Sequence, residues 1–298
     1  MLKIGRFVPD VVRHMWMEYC HRSYIDRQWK IRYGYKVDWQ HPRDINECIQ
    51  WVLCHGDQER MALCSDKYAV RQLLQDKGLG DMLVPLCGRW GKASDIDFDA
   101  LPEKCVLKCN HDSGSYHFLD KSRPYDKEAI VRDLTEHLRV KYGYVHGELY
   151  YNRIEPCILA EQWLVQDEHP FTQSLIDYKV WCFNGKPYCI WTYHNRTRDC
   201  VYMNIYDLDW QAHPERLVPT EHYRDGGGVV PRPKNLQQML DAASMLSEGF
   251  PEARVDFYIV RDKIYFGEIT FATSCGHIDH VAPEFLREMG KMCNISGR

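Results

Sequence analysis

Two strand-like runs near the C-terminus, RVDFYIV from Arg254 and KIYFGEITF from Lys263, carry charge inside otherwise apolar stretches. They are separated only by a turn at Arg261 to Lys263, so they read as neighbouring strands. Side-chain alternation places Arg254 and Asp256 on one face, and the turn folds Glu268 and Thr270 back beside them. Two carboxylates sharing a site repel unless a cation joins them. Hard oxygen ligands suit magnesium that also takes phosphate oxygens. The plainer reading is a cross-strand salt bridge from Arg254 to Glu268. Upstream, DYKVWCF and KPYCIWTYH add strands with Asn184-Gly185 as a turn between them. Helix-patterned segments flank this run.

Three lysines become candidates for a ligand phosphate only through their surroundings, because a lone lysine is ordinarily a solvated side chain. Lys67 follows Ser65 and Asp66, read as the capped start of a helix carrying Tyr68, Val70, Leu73 and Leu74. Lys108 ends the short strand CVLK, and the turn NHDSGS after it brings Ser113, Gly114 and Ser115. Small residues there let backbone N–H groups approach phosphate. Lys179 lies within DYK. In CILAEQWL, a buried strand that runs into a linker, Glu161 is a carboxylate among apolar neighbours. Such a group needs a partner: either a hydrogen bond within the core or the amino group of a purine, with the backbone of Trp163 and Leu164 reading the ring edge.

The rest of the chain reads as follows. Residues 1 to about 60 form a helical preface in which Val11, Val12, Met15 and Tyr19 keep helical spacing. YHFL pairs with CVLK as a hairpin, 126 to 142 is a helix, and the last helix covers 283 to 293. Pro and Gly cluster at 214 to 233, read as an unstructured surface connection in preference to a lid. A formal charge of -4 removes the basic footprint expected of sequence-independent nucleic-acid binding. No signal peptide or membrane-spanning run is read, and thirteen Cys in an odd, unpatterned set point to reduced thiols and a cytoplasmic setting.

In order, SDKYAVR, VLKCNHDSG, AEQWL, DYKVWCFNGKP and RVDFYIVRDKIYFGEITF, preceded by DINECIQW, resemble the motif series of the ATP-grasp superfamily and, within it, the TupA-like branch named for teichuronopeptide biosynthesis. The resemblance runs from about residue 42 to 276. It implies an α+β fold, an ATP-grasp domain at 61–298 with a lid lobe at about 101–160 and a metal-binding lobe at about 161–298, clasping ATP and magnesium. On that pattern Lys67, Lys108 and the Ser113–Gly114–Ser115 loop meet phosphates, Glu161 binds adenine, and Trp163 and Leu164 form the hinge. Ribose falls to Asp177 or Glu168. Asp256 and Glu268 hold the metal, and Arg254 with Lys179 attends the transferring phosphoryl group. Position 270 is Thr where many superfamily members carry Asn, which leaves one metal or two open.

The resemblance further implies a carboxylate–amine ligase that forms an amide through an acyl-phosphate, with an amino acid joined to a uronic acid of a cell-surface polymer as one concrete version. Arg196 and His194 are candidate contacts for an anionic acceptor. Ser274, Gly276 and His280 are candidates for the amine-bearing substrate. A kinase acting on a sugar hydroxyl would use the same nucleotide site. A nucleotide-sensing scaffold would not need Arg254, Asp256 and Glu268 together, and no sugar-nucleotide motif supports a glycosyltransferase.

Overall fold

The computed structural model describes residues 9–295. Its helices are α1 (Asp10–Tyr33), α2 (Ile45–His55), α3 (Gln58–Ser65), α4 (Val70–Asp76), α5 (Lys127–Leu138), α6 (Gly143–His146), α7 (Leu236–Ser247) and α8 (Pro283–Met292). Its strands are β1 (Leu86–Trp90), β2 (Lys104–Cys109), β3 (Tyr116–Asp120), β4 (Ile158–Gln162), β5 (Asp177–Phe183), β6 (Lys186–His194), β7 (Val201–Tyr206), β8 (Tyr223–Asp225), β9 (Glu252–Val260) and β10 (Lys263–Thr270). They form two sheets, ordered β1-β4-β2-β3 and β10-β9-β5-β6-β7-β8. The chain is α+β, as expected.

The small sheet follows from alternation. Cys105, Leu107 and Cys109 of β2 turn inward with Ile158 and Ala160 of β4 and Leu119 of β3, onto Ile130 and Leu134 of α5. The opposite face keeps Lys108, Glu161, Tyr116 and Phe118. This core also draws in Ala93, Ile96 and Phe98, and β1 joins the sheet, so the small lobe begins ahead of residue 101. In the large sheet Val180, Cys182, Val255 and Phe257 face α7, whose Met239, Ala243 and Leu246 are fully buried. Burying each of the Val, Leu, Met and Phe side chains among them contributes about 1.5–3 kcal/mol before entropy is counted. The other face of this sheet carries the charges.

Several expectations are corrected. Ser65 and Asp66 end a helix and do not begin one. Asp66 accepts the Tyr68 N–H at 2.8 Å in a local turn that competes with helix, which resumes only at Val70. Lys67 therefore sits between α3 and α4. α1 is helical, but Val11, Val12, Met15 and Tyr19 are exposed; it buries Met17, Ile25 and Trp29 instead. The 214–233 segment is tied down. β8 pairs in parallel with β7, and Gly228 N–H donates to Asn204 Oδ1 at 2.7 Å. The Tyr206 hydroxyl and Trp210 Nε1 both donate to the Val230 carbonyl. Among the described residues the cysteines other than Cys293 are free thiols. Among the described residues no helix is long and apolar enough to cross a membrane.

Candidate active site

The charged face is built by register. Lys179 on β5 stands opposite Asp256 on β9, and Asp256 stands opposite Glu268 on β10, so three strands set one row across the sheet. One step along, Arg254 pairs with Thr270. The Asp256–Glu268 pairing depends on a β-bulge at Gly267. Phe266 pairs with Phe257, so an unbroken ladder would put Glu268 opposite Val255 and on the far face. A Cβ at residue 267 would come within 3.0 Å of the Asp256 carbonyl oxygen, which is why glycine fits there.

Asp256 is the hub of this face. Arg254 grips it with two bonds, Nε to Oδ1 at 2.7 Å and Nη2 to Oδ2 at 2.8 Å, and Lys179 Nζ donates to Oδ2 at 2.5 Å. Burial pushes the Asp256 carboxyl up, but the Arg254 and Lys179 charges outweigh it and hold the group below its ordinary range. Arg254 also donates to Thr273 at 2.9 Å and Thr270 at 3.1 Å. Asp177, at the next row of β5, accepts from Arg196 Nη2 at 2.6 Å and lies 4.0 Å from Lys179. Trp181 and Trp191, fully buried on the same face, leave the cluster little water on that side.

Further charges come from the small lobe and from the α3–α4 segment beside it. Lys108 Nζ lies 2.5 Å from Glu161 Oε2, and Arg71 holds the other oxygen at 3.3 Å, so Glu161 is a paired buried carboxylate. Lys67 Nζ donates to the Asp112 carbonyl at 2.5 Å. Burial drives the Lys67 ammonium below its usual range, opposed by Glu268, Asp112 and Glu161, so both lobes act on one lysine. In the loop after β2, Ser113 and Gly114 are exposed, whereas the Ser115 hydroxyl is buried against Asp112. Trp163 rests on Phe118 with ring centroids 4.9 Å apart, Leu164 is half-buried beside it, and Glu168 is exposed on the linker. Exposed Tyr116 and Phe118 share the sheet face of Lys108 and Glu161, and sequence reasoning did not single them out.

Glu268 is the open carboxylate of this row, whereas both Asp256 oxygens are engaged by Arg254 and Lys179, so a hard cation here would take most of its ligands elsewhere. Asp256 and Glu268 face each other in register, and Glu268 is 47% exposed with Thr270 Oγ1 3.4 Å from its Oε1. Among the described residues no group of three or more His, Cys, Asp or Glu forms a closed cage. Magnesium commonly binds through one or two carboxylates plus phosphate oxygens and water.

Of the remaining candidates, His194 lies on the opposite face from Tyr193 and Asp177. It is buried against Phe171 and Tyr202, and burial lowers its pKa to about 4. It is not part of this cluster. His280 is buried under Tyr223 and beside Trp191. Ser274 and Gly276 belong to a left-handed turn that α2 clamps: Gln50 Nε2 donates to the Cys275 carbonyl at 2.9 Å, and Asn46 Oδ1 accepts the Ile278 N–H at 2.8 Å. Asn46 and Gln50 explain part of the phrase DINECIQW, though no periodic signal marks them.

Glu148 is a further residue that the sequence reading missed. It is buried just before the Leu149–Arg153 turn and accepts from the Tyr150 hydroxyl at 2.8 Å. Burial pushes its carboxyl from the usual 4.5 up to about 7, with the Glu268 charge adding and Tyr150 opposing. A carboxyl raised in the folded state contributes stability below its unfolded pKa and loses it as pH rises through the folded value. The loss across that window is about 3 kcal/mol. Glu148→Gln is therefore expected to melt higher than the unaltered protein at pH 8 and close to it at pH 5. An equal difference at both pH values would contradict the assignment.

The profile of the TupA-like ATP-grasp family matches residues 47–294. No curated protein matches the sequence. Among solved structures, D-alanine–D-alanine ligase from Bacillus anthracis complexed with ATP is 15% identical, with a TM-score of 0.45 over 79% of this chain and 66% of that one. L-amino acid ligase from Bacillus licheniformis is 14% identical, with a TM-score of 0.48 over 87% of this chain and 57% of the other. The ATP-grasp ligase PsnB, complexed with a precursor peptide and AMPPNP, is 11% identical, with a TM-score of 0.42 over 94% and 73%. The chain thus spans less than two thirds of the length of the first two.

Proposed function

The chain belongs to the TupA-like ATP-grasp family, and on that footing we propose that it is an ATP- and magnesium-dependent ligase joining a carboxylate to an amine through an acyl-phosphate. The observation that carries this reading is the row Lys179–Asp256–Glu268 with Arg254 beside it, and Lys67 between that row and the small lobe, where the charges of Glu268, Lys108 and Glu161 all reach it. An oxygen of the acceptor carboxylate attacks the γ-phosphorus of ATP and ADP departs. The amine then attacks the carbonyl carbon, phosphate leaves, and the nitrogen gives up its proton. Asp256 and Glu268 would hold magnesium, which neutralises phosphate charge when bound.

This chain's residues supply the rest. Arg254, fixed by Asp256 and two threonines, presents its charge with little reorganisation. Lys108 of the small lobe and Lys67, which donates to the Asp112 carbonyl of that lobe, would add positive charge, and Glu161, between Lys108 and Arg71, would meet the purine amino group. Arg196 on Asp177 is the candidate contact for an anionic acceptor. The finer reading, an amino acid joined to a uronic acid of a cell-surface polymer, is supported by the family's name alone. The test is mass spectrometry after incubation with magnesium-ATP and pooled uronic acids and amino acids. The expected product has the mass of acid plus amine less water, alongside ADP and phosphate. A stable phosphoester in its place contradicts the ligase.

A further inference from the structure

The loop between β2 and β3 is braced from within by polar side chains. Asn110 donates to Asp66 Oδ1 at 2.8 Å and to the Glu155 carbonyl at 3.0 Å, and it accepts the Cys157 N–H at 2.7 Å. Asp112, 2% exposed, divides its carboxylate. Oδ1 accepts from the Ser115 hydroxyl, which itself accepts the Cys109 N–H at 3.0 Å. Oδ2 lies 2.6 Å from Nδ1 of His137 on α5, while the Asp112 carbonyl takes Lys67 Nζ. With the carboxylate as acceptor, His137 Nδ1 is the donor of this bond. Behind it, Asp133 lies 4.0 Å from His137 Nε2 and receives His117 Nε2 of β3 at 2.7 Å. Asp112 stands between His137 and Ser115, so the three do not form a nucleophile–base pair. They form a strut from the lid helix to the loop, whose exposed tip is Ser113 and Gly114.

We infer that His137 is a positioning residue for the nucleotide phosphates, acting through Asp112 to hold the Ser113–Gly114 tip and the Lys67 ammonium at one fixed separation. The inference rests on the nucleotide site proposed above. Asp112 is the only strut member that reaches the loop tip, Lys67 and α5 together through the bonds described. A buried carboxylate that loses a partner turns to another, and the nearest are the Ser115 and Lys67 groups whose placement it governs. Removing the His137 bond therefore loosens the phosphate-facing surface without touching the nucleotide.

The experiment is calorimetry of AMP-PNP binding in magnesium, with steady-state kinetics, for the unaltered protein, His137→Ala and His137→Asn. The Asn amide N–H can replace the Nδ1–H donated to Asp112. His137→Ala is expected to weaken AMP-PNP by at least about tenfold and to raise the KM for ATP far more than it lowers kcat. His137→Asn should recover most of the binding. Ala binding as tightly as the unaltered protein, or Asn binding as weakly as Ala, overturns the inference. No binding by the unaltered protein overturns the nucleotide reading itself.

Discussion

Glu268→Gln is expected to lower turnover by at least about a hundredfold, since a site that loses one of its two carboxylates gives up several kcal/mol of transition-state charge stabilisation. Its folding should be unaffected. Glu268 is half exposed, and its contacts are a 3.4 Å hydrogen bond from Thr270 and a 3.8 Å approach to Arg254. Exposed ion pairs of that kind contribute little stability. Thermal melting and turnover measured on the same sample check both halves, and near-normal turnover at saturating magnesium contradicts the metal assignment.

Asp256→Asn should behave differently, although the two carboxylates face each other in the ladder. Asp256 is the buried counter-charge for both Arg254 and Lys179. Removing one partner of a buried charge cluster costs about 3–5 kcal/mol because the cations stay behind unpaired. The expected outcome is loss of turnover together with a melting point lower by on the order of 10 °C. The Asp256 carboxyl is held below its ordinary range, so its contribution is fully present at neutral pH. It is lost only in acid, as pH falls through that lowered value. The melting deficit of Asp256→Asn should therefore shrink at acid pH, whereas a constant deficit would mean that Asp256 acts by shape alone.

The sequence was most informative where period-two patterning and short turns coincide. RVDFYIV and KIYFGEITF form the expected hairpin, and Arg254, Asp256, Glu268 and Thr270 share its face. That agreement hides a subtlety: the bulge at Gly267 is what brings Glu268 to the right side, and its one local sign is the isolated glycine within the strand. Alternation in KPYCIWTYH, taken strictly, would have turned His194 away once Tyr193 faced the site. Glu148, Asn46 and Gln50 act through tertiary placement, so a single chain carries no spacing signal for them. The helix start at Ser65 failed because Asp66 serves a turn as readily as a cap. The Pro- and Gly-rich stretch at 214 to 233 was misjudged because Asn204 and Met203, distant in sequence, secure it.

Phosphoryl transfer to a carboxylate and to a hydroxyl would draw on the same lysines, Arg254, Asp256 and Glu268, so the reaction class is best decided by its intermediate. With magnesium-ATP, the acceptor acid and no amine, an acyl-phosphate should form, and hydroxylamine should trap it as a hydroxamate. A phosphorylated sugar hydroxyl is inert to hydroxylamine. Measuring hydroxamate alongside ADP release under these conditions is the most direct test of the ligase reading. The account predicts acid-dependent hydroxamate in proportion to ADP; ADP release with no hydroxamate and a phosphoester that persists for hours would contradict it.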